Sequence, residues 1–381
     1  FLYHASKTNA WPATEPFLFA PLLLVSLFVP ILFISSLGHL DQRRTAFWLL
    51  LSLMIVGGLG FYDVWRNDMA YAFSPAGEGS ERTRFPSPLL FVFLSAGYFI
   101  AHSLVLSAAQ DHSRIAKYST HFEIAWKLMI QLAFSVMFVG ALWAALGLGS
   151  ALFMLVKLDF LKQLLEQSWF AIPVTVFAFA CAMHITDVRP AIVHGIRSLL
   201  LVLLSWVLPI TTLIVVGFLA SLLVTGLQPL WATKSATAVL LGAAATLVVL
   251  INAAFQNGEI GAGLPRVIRL SAKLAALSLL PIAGIAIYSL GLRVAEYGWT
   301  TDRIIAAACL LVASCYALGY AWAALQRGGW LALIAPVNMA AAYVILAVLL
   351  GVFSPLADPA RISVNSQVDR LMTGVTSADK F

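Results

Sequence analysis

Residues 196–223 read IRSLLLVLLSWVLPITTLIVVGFLASLL. After Arg197 this stretch carries no charged side chain. The hydrocarbon core of a bilayer, about 30 Å thick, is crossed by roughly 20 predominantly apolar residues in helical form. With no water to satisfy its backbone in lipid, such a segment must bond to itself, and helix is the conformation that allows it. Pro209 falls near the middle, so a kink is expected there.

The same reading carried outward finds nine more stretches. Before it lie spans over 17–36, 46–62, 88–109, 122–156 and 169–185; after it come 236–255, 267–292, 303–325 and 330–353. Pro281 predicts a second kink inside 267–292. The expected fold is therefore all-α: a polytopic transmembrane helix bundle of about ten spans over residues 1–353. An eleventh span is expected ahead of residue 1, because Phe1, Leu2 and Tyr3 resemble the outer end of one. Two connections stand apart. Residues 63–87 are polar with Gly and Pro and are expected to form a loop. Residues 157–168, KLDFLKQLLEQS, alternate Leu and Phe with Lys and Glu at helical spacing, as an interfacial helix on the membrane surface does; an extension of the fourth span fits equally well.

Composition excludes other classes. Of 381 residues, 61% are hydrophobic and 10% charged, against about 45–50% and about 25% in soluble domains. Mean hydropathy is +0.92. A disordered chain needs the opposite balance. A disulfide scaffold needs more than the three cysteines present, and Cys181, Cys309 and Cys315 all lie within apolar stretches. The net charge of +6 comes from scattered Lys and Arg, with no basic run, so nucleic acid is not expected as a partner. The connections after spans one, three, five, seven and nine hold Arg43, Arg44, Arg114, Lys117, Arg189, Arg197, Arg266, Arg269 and Arg327, and the positive-inside bias puts them in the cytoplasm.

Several stretches resemble one bacterial membrane family, DUF4153. They are AWPATEPFLF (10–19), GFYDVWR (60–66), FEIAWKLMIQLAFSVMFVGALWAALGLGSALF (122–153), SWFAIPVTVFAF (168–179), LLSWVLPITTL (203–213), LGLRVAEYGWTTDR (290–303) and SPLADPARISVNSQVDRLMTGVTSADKF (354–381). The resemblance covers nearly the whole chain and implies a multi-pass protein of the bacterial inner membrane. It implies no activity, cofactor or catalytic residue.

Polar side chains inside apolar stretches are expensive and therefore informative. His102, past the middle of span three, reads as a proton relay, as a metal ligand, for which no second His stands at i+3 or i+4, or more simply as a hydrogen-bond donor to a facing carbonyl or hydroxyl. Glu123 and Lys127 stand at i, i+4 in the favourable order, with Gln131 one turn further. They read as a self-neutralised pair near the headgroups or as the cytoplasmic mouth of a polar cavity. In AMHITDVRPAIVHGIR, Asp187 and Arg189 are expected to fix the turn before Pro190. In GLRVAEYGWTTDR, Arg293 and Glu296 at i, i+3 can pair with each other on a helix end or share a partner, Tyr297 and Trp299 are interface anchors, and Gly298 followed by Thr300 or Thr301 marks a helix stop and restart. This last segment ranks first among functional candidates. Asn252 and Asn338 read as hydrogen-bonding links between helices. Asp63 and Asp68 are too weak a pair for a metal site. No GxSxG, HExxH, Walker loop or acid cluster occurs.

The functional expectation is a transporter-like or membrane-anchor bundle that is not an enzyme and holds no cofactor or metal. The alternative is a membrane enzyme or sensor whose chemistry lies in soluble parts outside this chain. Residues 354–381 set Ile362, Val364, Val368, Leu371 and Met372 against Arg361, Asn365, Gln367, Asp369 and Arg370. Such a helix needs the bilayer surface or a protein partner or further soluble domain, and a missing soluble C-terminal part is expected.

Overall fold

A computed structural model describes residues 1–72, 85–228, 230, 235–258, 263–326 and 331–374. The tip of the expected 63–87 loop, Arg327 and residues 375–381 lie outside the described residues. Thirteen helices are present and no strand among the described residues: α1 Leu2–Thr8, α2 Pro16–Ser36, α3 Gln42–Ala72, α4 Pro88–Gln110, α5 Tyr118–Leu155, α6 Phe160–Glu166, α7 Ser168–Val188, α8 Pro190–Thr225, α9 Ala236–Phe255, α10 Arg266–Tyr297, α11 Thr301–Leu325, α12 Ile334–Val352 and α13 Pro359–Met372. Ten of them, α2–α5 and α7–α12, are long and apolar enough to cross a membrane.

Local chemistry sets the helix ends. Pro16, Pro88 and Pro359 occupy first turns, where a missing N–H is no loss. Asp41 accepts from Arg44 N, Ser87 from Leu90 N and Asp358 from Ala360 N, each capping the helix that follows. Pro209 and Pro281 both sit inside helices, as do Pro21, Pro30 and Pro173. The fourth span ends at Leu155, Lys157 adopts a left-handed φ of 61°, and α6 forms as a separate short helix.

Several boundaries differ from expectation: α5 starts at Tyr118 rather than 122, α8 at Pro190 rather than 196, and α10 runs to Tyr297 rather than 292. The second span continues to Ala72, so the first part of the expected 63–87 loop is helical. The reason is Asp63: it is buried, and it accepts from Ser87 N at 2.7 Å, Ser87 Oγ at 2.9 Å and Arg66 Nη2 at 2.6 Å. Polar residues read as loop are instead the satisfied end of a helix. The last span begins at Ile334 rather than 330.

The chain forms two compact units, Phe1–Ala116 with Glu123–Arg197, and Lys117–Phe122 with Ser198–Phe381. In the first, α2 packs along α3, and Gly60 lets the backbone of Pro21 approach so closely that a Cβ there would stand 3.1 Å from its Cα. In the second, α9–α12 share the largest apolar cluster, with Ala272, Ala275, Ala276 and Ala286 almost fully buried on α10. Small residues at these contacts are what lipid-embedded helices require, since no hydrophobic force joins them and close van der Waals packing must. Meanwhile Phe47, Met54, Val136, Met137, Leu148, Phe177, Leu213 and Leu223 point outward. In water that would be an aggregating surface; in a bilayer it is the lipid-facing one.

Candidate functional site

In the first unit, α2, α4, α5 and α7 surround a cavity of about 550 Å³. Its lining is in part apolar, with Ile34, Leu106, Ile124, Leu128 and Met183, and in part polar, with His39, His112, Lys127, Gln131, His184 and Asp187. α5 has 38 residues, so it is about 57 Å long at 1.5 Å per residue, well beyond the hydrocarbon thickness. Lys127 lies in its third turn and Asp187 at the end of α7, which puts both near one boundary of the membrane.

The polar lining centres on Asp187. Its Oδ1 accepts from Lys127 Nζ at 2.6 Å and, at a longer 3.4 Å, from Gln131 Nε2. His39 Nε2 stands 2.9 Å from Lys127 Nζ and 3.4 Å from Asp187 Oδ1. An ammonium group only donates, so Nε2 accepts; the neutral ring then carries its proton on Nδ1, which donates to the Leu37 carbonyl at 3.1 Å. Asp187 is thus shared by the Lys127 ammonium and the His39 ring.

Lys127 takes Asp187 on α7, and Glu123 faces Arg197 on α8 at 3.8 Å, so both members of the expected i, i+4 pair have partners on other helices. Asp187, expected to fix its own turn, instead ties α7 to α5. His102 is buried beneath the cavity: Trp48 Nε1 donates to its Nδ1 at 3.2 Å, leaving Nε2 to donate to Ser35 Oγ at 2.9 Å, and the Trp48 ring stacks on it at 6.3 Å. Both ring nitrogens are used, and the cavity touches only its partner Ser35. His39 was not found from the sequence. The available signal was topological, since the ends of spans one and five and the start of span four all fall on one membrane side.

Arg293 and Glu296 lie in the second unit, at the end of α10. There the backbone carbonyls of Ala295 and Glu296 accept from Arg370 on α13, and the Arg303 guanidinium stacks over the Tyr297 ring at 5.4 Å. The segment is a docking point for α13. Asn252 and Asn338 do meet: Asn338 Nδ2 donates to Asn252 Oδ1 and to Tyr118 Oη, while Tyr320 Oη accepts from Asn252 Nδ2 at 2.8 Å and donates to Asn338 Oδ1. This closed ring of amides and phenols links α5, α9, α11 and α12. Among the described residues no group of three or more His, Cys, Asp or Glu could hold a metal ion.

Ten apolar helices with outward-facing hydrophobic side chains define a multi-pass membrane protein. Within that class the chain belongs to the DUF4153 family, described as a domain of unknown function, whose sequence model matches residues 8–379. No curated protein and no solved structure matches it.

Proposed function

We propose that the protein is a transporter-like bundle of the bacterial inner membrane and that the cavity beside Lys127 and Asp187 binds a small polar solute. The observation that carries this is the ion pair on the cavity wall. Lys127 and Asp187 keep 28% and 34% of their side-chain surface exposed although apolar side chains line the same cavity. Ionisable groups that face a cavity between membrane-crossing helices commonly mark ion and solute pathways. A volume near 550 Å³ suits one small molecule. The adjoining loops at Arg43, Arg114 and Arg189 carry the positive-inside signal, which supports a cytoplasmic opening. The bacterial inner membrane is supported by the family resemblance.

Thermal-shift measurements on the purified protein with a panel of small water-soluble anions, cations and zwitterions test the reading. A ligand at 100 times its Kd stabilises by about 2.7 kcal/mol, so one chemical class should raise Tm by several degrees. The Lys127→Met, Asp187→Asn double variant should lose that rise. If no class stabilises the native protein more than the double variant, the solute reading fails and an anchoring role takes its place.

A further inference from the structure

We infer that α13 lies in the headgroup region of the bilayer with Val364, Val368, Leu371 and Met372 turned into lipid. The helix is fixed to the protein by its polar side. Ser366 Oγ accepts from Trp299 N at 3.0 Å, and Ser363 Oγ donates to the Trp299 carbonyl at 3.3 Å. Gln367 Nε2 donates to the carbonyls of Tyr297 and Trp299, both at 3.1 Å. Arg370 donates to those of Ala295 and Glu296, at 3.2 and 2.6 Å. Ser363, Ser366, Gln367 and Arg370 follow the i, i+3, i+4, i+7 spacing of one helix face. All these partners are backbone groups of the last turn of α10 and of the residues that join it to α11. Gly298, in that connection, has no side chain to hold the helix off: a Cβ would stand 2.7 Å from Arg370 Cδ.

This polarity is inverted. A helix on the water-exposed surface of a globular protein turns its apolar stripe inward and its polar face out. Here the polar face is inward, while Val364, Val368, Leu371 and Met372 are 60%, 49%, 42% and 82% exposed. At about 100° per residue these four form one stripe, Asn365 and Asp369 form a second exposed stripe beside it, and Arg361 lies at the N-terminal end of the apolar one. The circumference thus divides into a face for protein, a face for an apolar medium and a face for water. An interfacial helix needs all three when it is also bound to a protein.

Its position identifies the apolar medium. α13 is attached where two membrane-crossing helices, α10 and α11, end and begin. Tyr297 and Trp299 lie in the same turn, and such rings collect at the level of the headgroups. The bilayer is therefore the neighbour already present at that height, and no other partner has to be supplied. The inference is independent of the cavity reading, since it concerns the other unit of the chain.

The test uses the full chain with its three cysteines replaced, reconstituted in nanodiscs containing a lipid that carries a nitroxide high on its acyl chain. Single cysteines at Val364, Val368 and Leu371, and for comparison at Asn365 and Asp369, are labelled with a small environment-sensitive fluorophore. The apolar-stripe positions should be quenched at least about twofold more than the polar-stripe positions. Equal quenching at both stripes would overturn the proposal. So would protection of Val368 from lipid together with its crosslinking to a second copy of the chain. Three separate apolar positions keep the comparison valid should one variant fold poorly.

Discussion

Gly298 shows how one residue can serve two demands. Its φ of 75° and ψ of −177° fall in a region that glycine alone occupies freely, and it admits the Arg370 and Gln367 side chains of α13. Gly298→Ala should lose about 1–3 kcal/mol and raise tryptic cleavage at Arg361 and Arg370, both read on the detergent-solubilised protein. Gly351→Ala, where a Cβ meets nothing within 4 Å, should be neutral or slightly stabilising in the same assay. Lys127 and Asp187 are the second pair to examine at this scale. Removing either charge leaves the other in a partly dry wall, so Lys127→Met and Asp187→Asn should each lower stability, with the double variant less affected than their sum. Because both groups remain partly solvated, the coupling should be about 1 kcal/mol, measurable by a double-mutant cycle.

At the scale of elements, the ring of Asn252, Asn338, Tyr118 and Tyr320 joins four helices through side chains alone. Asn338→Leu removes the donor to Asn252 Oδ1 and Tyr118 Oη and the acceptor of Tyr320 Oη, and should destabilise the second unit by about 1–2 kcal/mol, seen as a lower Tm. The spans themselves were legible because lipid makes the rule local: an apolar run of sufficient length must be helical whatever its neighbours do. Thus 236–255 was read to the residue. The end of α3 was not legible, because Asp63 resembles a loop residue until Ser87 and Arg66 are seen around it. Partners were harder still. Lys127 had a plausible one in Glu123 four residues back, and nothing along the chain says that Asp187 from α7 approaches to 2.6 Å. The α10–α11 turn was recognised as dense in charge and aromatic groups, but its purpose depends on α13, which arrives from the far end of the sequence.

At the scale of the molecule, a multi-pass bundle of the DUF4153 family holds in its first unit a cavity of about 550 Å³, which we propose opens to water on the cytoplasmic side. That opening is the central claim, and it joins topology to function: a cavity that water reaches from one side can admit a solute, and a dry one cannot. Ala109 and Ala180 line the cavity and can be exchanged for cysteine with little change in volume. In the background lacking Cys181, Cys309 and Cys315, each is exposed to a membrane-impermeant thiol reagent in inverted and in right-side-out vesicles. The account predicts labelling of Ala109→Cys and Ala180→Cys in inverted vesicles alone, with the lipid-facing Val136→Cys unreactive in both. Labelling from the outer side alone would contradict the orientation, and no labelling from either side would contradict the cavity itself.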